Sequence, residues 1–385
     1  MDIGITGAKI LTGGALVETS VHTADGVIGE IGSDCAASSR IDAADLIVLP
    51  GIVDIHGDAF ERQMMPRPGV DFAVDLALAD TDRQVIANGI TTVFHSVTWS
   101  WEPGLRGPDN ARNLLSAIEA LKPRLAADTR YHLRFETYNF DAEPEARGWL
   151  DEGKIDALAF NDHMLAPDYA NRPPSKISTM IDRTGLSRED FFKLVDSLQS
   201  RADEVPDLIV RMAKTANAAG IPLLSHDDSS PEQRQWFRAL GCRVCEFPMN
   251  VETAEAAVAG GDQIVFGAPN IVRGKSHIGW VNARDMVARG LCSILASDYF
   301  YPAPLVAAFR LVEIGVLPLA KAWELVSGTP ARATNLPDRG SIAPGKRADL
   351  ILVDAALSGR PRVVAVLVGG HIVYLTEPSR LQTPR

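Results

Sequence analysis

Cysteine is scarce in this chain: Cys35, Cys242, Cys245 and Cys292 are too few and too scattered for a disulfide framework, which fits a reducing compartment. The Cys242-x-x-Cys245 pair lies in CRVCEF, which reads as a strand. Residues three apart on a strand face opposite sides, so the two thiols make a poor chelate. Positive charge is also in deficit, with 38 Lys and Arg against 49 Asp and Glu and a formal net charge of −11. A nucleic-acid partner or an anionic membrane surface needs a basic face, so both are argued against, although a local basic pocket is not. No apolar run is long enough to span a bilayer, and MDIGITGAKI lacks the charged start and apolar stretch of a signal peptide, so a cytoplasmic protein is expected. Low-complexity and fibrous segments are absent. The 46% hydrophobic and 23% charged fractions are those of a globular protein whose 385 residues can hold a sizeable core.

What is present is a regular alternation of apolar, β-rich runs with helical segments. The strands are read at IVDIH, TTVFHS, HLRFET, ALAFND, PLLSHD, RVCEFP, QIVFGA and SILASD. The helices between them carry recognisable punctuation. Ser230 and Pro231 offer a cap and a first-turn proline with Gly241 closing that helix, Ser187 with Asp190 resembles a capping box, and Gly220 ends a helix that starts near Pro206. Strand and helix alternating in this way imply a parallel sheet, and eight units between about Pro50 and Asp298 close a (β/α)8 TIM barrel. The segment 165–187 has no clear period and contains Pro167, Pro173 and Pro174, which reads as a lid or loop. The two ends differ from the middle, with short strands over residues 2–48 and strand-turn-strand patterns over 341–377. The expected organisation is α/β: a barrel over 51–335 and a small β-sandwich domain assembled from 1–50 and 336–385. His22 and His371 fall in that small domain and read as ordinary strand or surface residues.

The chemistry is concentrated at strand ends. LPGIVDIHGD runs an apolar strand into His56-x-Asp58, and residues two apart on a strand share a face, so both side chains can reach one metal ion. Imidazole and carboxylate both suit a hydrolytic metal. Glu136 closes YHLRFET, His163 closes IDALAFNDH, His226 closes GIPLLSHDD and Asp298 closes CSILASDY. Taken singly, a residue of this kind is more often a cap or turn residue. Functional groups of a parallel barrel gather at the C-terminal ends of strands, however, and the recurrence from strand to strand points to a metal centre. Asp162, Asp227 and Asp228 flank these positions and suit either imidazole-orienting or helix-capping roles. His95, Trp99 and Trp101 follow the second strand and suit substrate lining or packing equally.

The split terminal β-domain, the PGIVDIHxD first strand, the late SD and the closing GKRADLILVD together resemble the amidohydrolase superfamily over essentially the whole chain. Within it, HGDAFERQMMPRPGVDF, FNDHM, LLSHDD, EFPMN, GAPNIVRGKSH and ASDYF look like the phosphonate-metabolism hydrolases. The resemblance implies two divalent ions (Zn, Mn, Fe or Mg). His56 and Asp58 would hold one, His163 and His226 the second, Glu136 would bridge or bind, and Asp298 would be both ligand and catalytic base. The first strand carries His-x-Asp where many members carry His-x-His, and no lysine ends a strand to form a carbamate bridge, which leaves metal identity and number open. The implied reaction is metal-dependent hydrolysis of α-D-ribose 1-methylphosphonate 5-triphosphate to the 5-monophosphate and pyrophosphate. A triphosphate must be held by cations, for which Arg62, Arg67, Arg273, Lys275 and His277 are the candidates. The rival readings are an amidohydrolase acting on a cyclic amide, an N-acetyl group or a nucleobase, and a catalytically silent scaffold subunit. The partner expected is a small phosphorylated ribose, with homo-oligomerisation left open.

Overall fold

The computed structural model describes residues 2–32, 37–67, 69–164, 174–274, 281–357 and 360–382. All eight expected barrel strands are present: Ile52–Gly57, Ile90–Trp99, Asp128–Glu136, Ala157–Asn161, Leu223–His226, Val244–Glu246, Gln263–Gly267 and Ile294–Ala296. They pair in parallel, each with its neighbour in sequence. The seam between the last and the first is closed by a parallel bridge from Gly57 to Asp298. Asp298 N donates to the His56 carbonyl at 2.9 Å, and Asp58 N donates to the Asp298 carbonyl at 3.0 Å. Two of the candidate ligands are thus fixed by the closure of the barrel itself.

Parallel strands covered by helices are buried on both faces, and here the interior is largely aliphatic. Val53, Ile55, Phe94, Ala159, Leu224, Val244, Val265 and Ile294 form one buried cluster. The third strand, Asp128–Glu136, contributes nothing to it. Its Tyr131, Leu133 and Phe135 pack outward with Ala111, Leu114 and Trp149, which by the two-residue period of a strand turns His132, Arg134 and Glu136 to the opposite face, where all three are buried. One strand therefore carries a polar row into the barrel.

The termini form a nine-stranded sheet, joined where Ile47–Pro50 pairs antiparallel with Leu350–Asp354. Ile3–Thr12 pairs along one edge first with Ser39–Asp42 and then with Ile47–Pro50. A register shift between Ile5 and Ala8, at Gly7 with its φ of +78°, separates the two pairings. Ile3, Ile5, Ile10, Val48, Leu350, Leu352, Val364 and Leu367 make the core of this sheet, with both termini contributing. The helix caps fall as expected: Ser230 Oγ accepts from Gln233 N and Ser187 Oγ from Asp190 N. Of the expected lid, residues 165–173 lie outside the described residues, and Pro174–Thr184 is a helix. Among the described residues no helix is long and apolar enough to cross a membrane.

Candidate metal centre and active site

Each histidine of the expected centre is tied to a buried glutamate through Nδ1. His163 Nδ1 lies 2.5 Å from Glu136 Oε1, and its backbone N donates to Glu136 Oε2 at 3.0 Å. His56 Nδ1 is 2.8 Å from Glu246 Oε1, and His226 Nδ1 is 3.2 Å from Glu246 Oε2. Glu136, which burial raises but His163 holds below the usual carboxylate range, is ionised and only accepts, so His163 Nδ1 carries the ring proton and its Nε2 keeps the lone pair. His56 and His226 take the same tautomer when Glu246 is ionised. His226 gives independent support: its Nε2 takes an N–H from Arg134 Nη2 at 3.4 Å, and a guanidinium can only donate.

Glu246 was not among the residues singled out from the sequence, although it ends an apolar strand in the same manner as the others. It clamps His56 and His226 as a stacked pair, ring centroids 5.3 Å apart, and Phe247 packs edge-on against both rings. Phe247 has a φ of +52°, as Asp227 has +59° and Asp298 +55°. All three left-handed residues follow barrel strand ends at the site. A backbone of this kind is tolerated by Asp but strained for Phe, and such strain collects where surrounding structure dictates direction.

Asp227, weighed from the sequence only as an orienting or capping residue, faces the open side. Its carboxylate oxygens are 3.5 Å from His226 Nε2 and 4.0 Å from His163 Nε2. Two groups of donors could hold an ion among the described residues: His163, His226 and Asp227, and His56, His226 and Glu246. Asp58 sits beside them, with Oδ2 accepting from Arg134 Nη1 at 3.3 Å. Glu136, expected to bridge or bind, has both oxygens engaged by His163. His132, also unforeseen, meets His56 edge-on at 5.6 Å, and its Nε2 is buried without a hydrogen-bond partner. The strict alternation Y-H-L-R-F-E in a strand was the signal for His132 and Arg134.

The electrostatics of the cluster suit a cation. Burial lowers His56 to about 3 and, with Arg134, His56 and His163 adding to it, drives His226 well below the usual imidazole range. Both are therefore neutral donors at pH 7. Burial lifts Glu246 to about 7 and Asp227 to about 6, and burial together with Asp58 raises Asp298 well above the ordinary carboxylate range. Glu136 alone goes down: burial raises it, but the charge and hydrogen bonds of His163 outweigh that. A cage of neutral imidazoles and crowded, poorly solvated carboxylates is relieved by a divalent cation, so the residues present fit such a group.

Above the cluster, Arg62 lies over the Tyr299 ring at 5.8 Å and Arg273 Nη1 donates to Tyr299 Oη at 3.2 Å. Two of the expected anion-binding arginines thus meet on the residue after Asp298. Arg67 is exposed just after the short helix Glu61–Met64 that carries Arg62, and bridges Val70 through its backbone. Lys275 and His277 lie outside the described residues. Trp99 and Trp101 are buried in packing clusters, Trp99 against Trp149 and Trp101 against Phe191.

Residues 277–374 match the family model described as "Amidohydrolase family". The chain is 33% identical over 344 residues to the alpha-D-ribose 1-methylphosphonate 5-triphosphate diphosphatase of Escherichia coli (strain K12), covering 84% of this chain and 88% of that one. The chain belongs to the amidohydrolase superfamily, in the family of that diphosphatase. It is 25% identical over 390 residues to the imidazolonepropionase of Mycolicibacterium smegmatis, covering 94% and 93% of the two chains. Among solved structures, a dihydropyrimidinase from Brevibacillus agri NCHU1002 superposes with a TM-score of 0.64 at 14% identity, covering 97% of this chain and 95% of that chain. A prolidase complexed with N-methylphosphonate-L-proline gives 0.64 at 17% identity, covering 98% and 100%. These two structural likenesses concern the fold. This amidohydrolase is a hydrolase, and the superfamily's barrel and terminal β-sheet account for its architecture.

Proposed function

We propose that the protein hydrolyses α-D-ribose 1-methylphosphonate 5-triphosphate to the 5-monophosphate and pyrophosphate, using a divalent metal held at the barrel mouth. The observation that carries this reading is the meeting of two arginines on Tyr299 immediately beside Asp298, next to the histidine and carboxylate cluster, in a chain related along most of its length to such a diphosphatase. His56, Asp58, His163, His226 and Asp298 are the metal-holding residues, with Asp227 as a further donor. A divalent cation bound there would polarise a phosphoryl oxygen and lower the pKa of a water to about 7. Asp298 accepts the proton of the attacking water at a carboxylate oxygen. Arg62 and Arg273, with Lys275 and His277 as further candidates, hold the triphosphate and neutralise the departing pyrophosphate. Glu136 and Glu246 fix ring orientation and tautomer.

The test is phosphorus NMR of the metal-loaded protein with the ribose phosphonate triphosphate, a nucleoside triphosphate and a dihydropyrimidine. Pyrophosphate release from the first substrate alone is expected, and turnover of the cyclic amide instead would overturn the reading. Arg62→Ala and Arg273→Ala should each raise KM for the triphosphate about ten- to a hundredfold, the worth of a charge-assisted hydrogen bond. Glu246→Gln weakens the acceptor shared by His56 and His226. Metal affinity, measured by titration into chelator-treated protein, should fall about ten- to a hundredfold, with activity recovered at higher metal concentration.

A further inference from the structure

Arg134 stands within the ring of metal-holding residues, and none of the roles assigned above uses it. Its side chain is 5% exposed. Nη1 donates to Asp58 Oδ2 at 3.3 Å and Nη2 to His226 Nε2 at 3.4 Å. The Asn161 side-chain oxygen, with the amide turned to offer it, accepts from Nε and Nη2, each at 3.2 Å. A guanidinium does not lose its proton inside a protein, so the positive charge at this place is permanent.

The contacts reach both parts of the ligand set. Asp58 belongs with His56, while His226 is common to the two donor groups, with His163 and Asp227 in one and with His56 and Glu246 in the other. An imidazole nitrogen offers one lone pair, and the one on His226 Nε2 accepts from Arg134, so His226 serves either the guanidinium or an ion in the His163, His226 and Asp227 group, and a single cation is left to the other donors of the set. The same charge lies close enough to bear on Glu136, Asp227, Glu246 and Asp298, so the carboxylate cage is partly neutralised before any metal enters. Resting on the metal centre proposed above, we propose that Arg134 takes the place of a second metal ion, so that the centre holds one divalent cation and one fixed guanidinium. This departs from the two ions that the family resemblance implies.

The experiment counts ions rather than turnovers. Chelator-treated protein is reloaded with Mn²⁺, freed of excess metal, and examined by elemental analysis and electron paramagnetic resonance. Wild type should hold one equivalent with the spectrum of a magnetically isolated ion. Arg134→Met, which keeps length and removes charge, should hold two equivalents with an exchange-coupled spectrum, while Arg134→Lys, which keeps the charge, should hold one. Two coupled ions in wild type overturn the proposal while leaving the metal reading intact. So does a single ion in an Arg134→Met protein whose circular dichroism is native. Wild type that binds none overturns the metal reading and this proposal with it. If Arg134→Met does not fold, the counts for wild type and Arg134→Lys still decide, because two ions in either would sink it.

Discussion

Asp298→Asn lowers kcat for pyrophosphate release by about a hundred- to ten-thousandfold, the range lost when a positioned proton acceptor is removed, with KM little changed. Asparagine keeps the size of the side chain and tolerates the left-handed backbone that Asp298 adopts, and the bonds linking residue 298 to His56 and Asp58 across the barrel seam are main-chain bonds that survive the change. Gly267 leaves room for this carboxylate, since a Cβ placed there would come within 3.1 Å of Asp298 Oδ2. The amide oxygen can still accept a hydrogen bond, but it cannot take a proton from water at neutral pH. Steady-state kinetics with metal content determined on the same samples separates loss of the acceptor from loss of the ion. A decrease of less than tenfold in fully loaded protein would remove Asp298 from the proton-accepting role.

Arg234→Ala destabilises the fold by about 3–5 kcal/mol, the penalty of breaking a buried ion pair from one side. Arg234 is fully buried on the helix Pro231–Ala239. Its Nη1 donates to Asp228 Oδ2 at 3.0 Å and to Ser225 Oγ at 2.6 Å, Nη2 donates to the Cys242 carbonyl at 2.6 Å, and Nε lies 3.3 Å from Asp262 Oδ2. Ser225 and Asp228 bracket His226 and Asp227, so this guanidinium braces the strand end that carries two metal-type residues. Alanine would leave Asp228 buried without its cation while the Asp262 charge kept Arg238 at 2.7 Å and the more distant, exposed Arg243. Arg243→Ala is the control. That side chain is 66% exposed and 3.9 Å from Asp262, and its removal should change stability by no more than about 0.5 kcal/mol. Urea denaturation followed by fluorescence compares the two. Equal midpoints for Arg234→Ala and wild type would show that the buried network contributes little.

The barrel strands were legible because each combines an apolar run with clear punctuation. IVDIH, ALAFND and SILASD could be read without knowing their neighbours, and the caps at Ser187 and Ser230 are features of a few consecutive residues. The candidate site was legible only in part. His56, Asp58, His163, His226 and Asp298 end strands or begin the loops after them, so one rule about barrel rims finds them all. Glu246 obeys the same rule and was passed over because it sits in a short strand, Val244–Glu246, preceded by the distracting cysteine pair. Arg134 was missed for a different reason. A charged residue in the middle of a strand suggests an exposed face, whereas this strand is buried on both sides and turns its polar row inward. Tyr299 acquires meaning only from the arginines that reach it, from the loop after the first strand and the helix Ala268–Arg273.

By itself the sequence determined the order and kind of the elements and which residues end the barrel strands, because hydrophobic period, glycine and proline act over a few positions along the chain. Only the tertiary structure decided which carboxylate serves which imidazole. His56 and Glu246 stand 190 residues apart, and their pairing depends on where the barrel closes and which way each buried side chain turns. No local preference encodes that choice: it follows from the cost of leaving polar groups inside the barrel without partners.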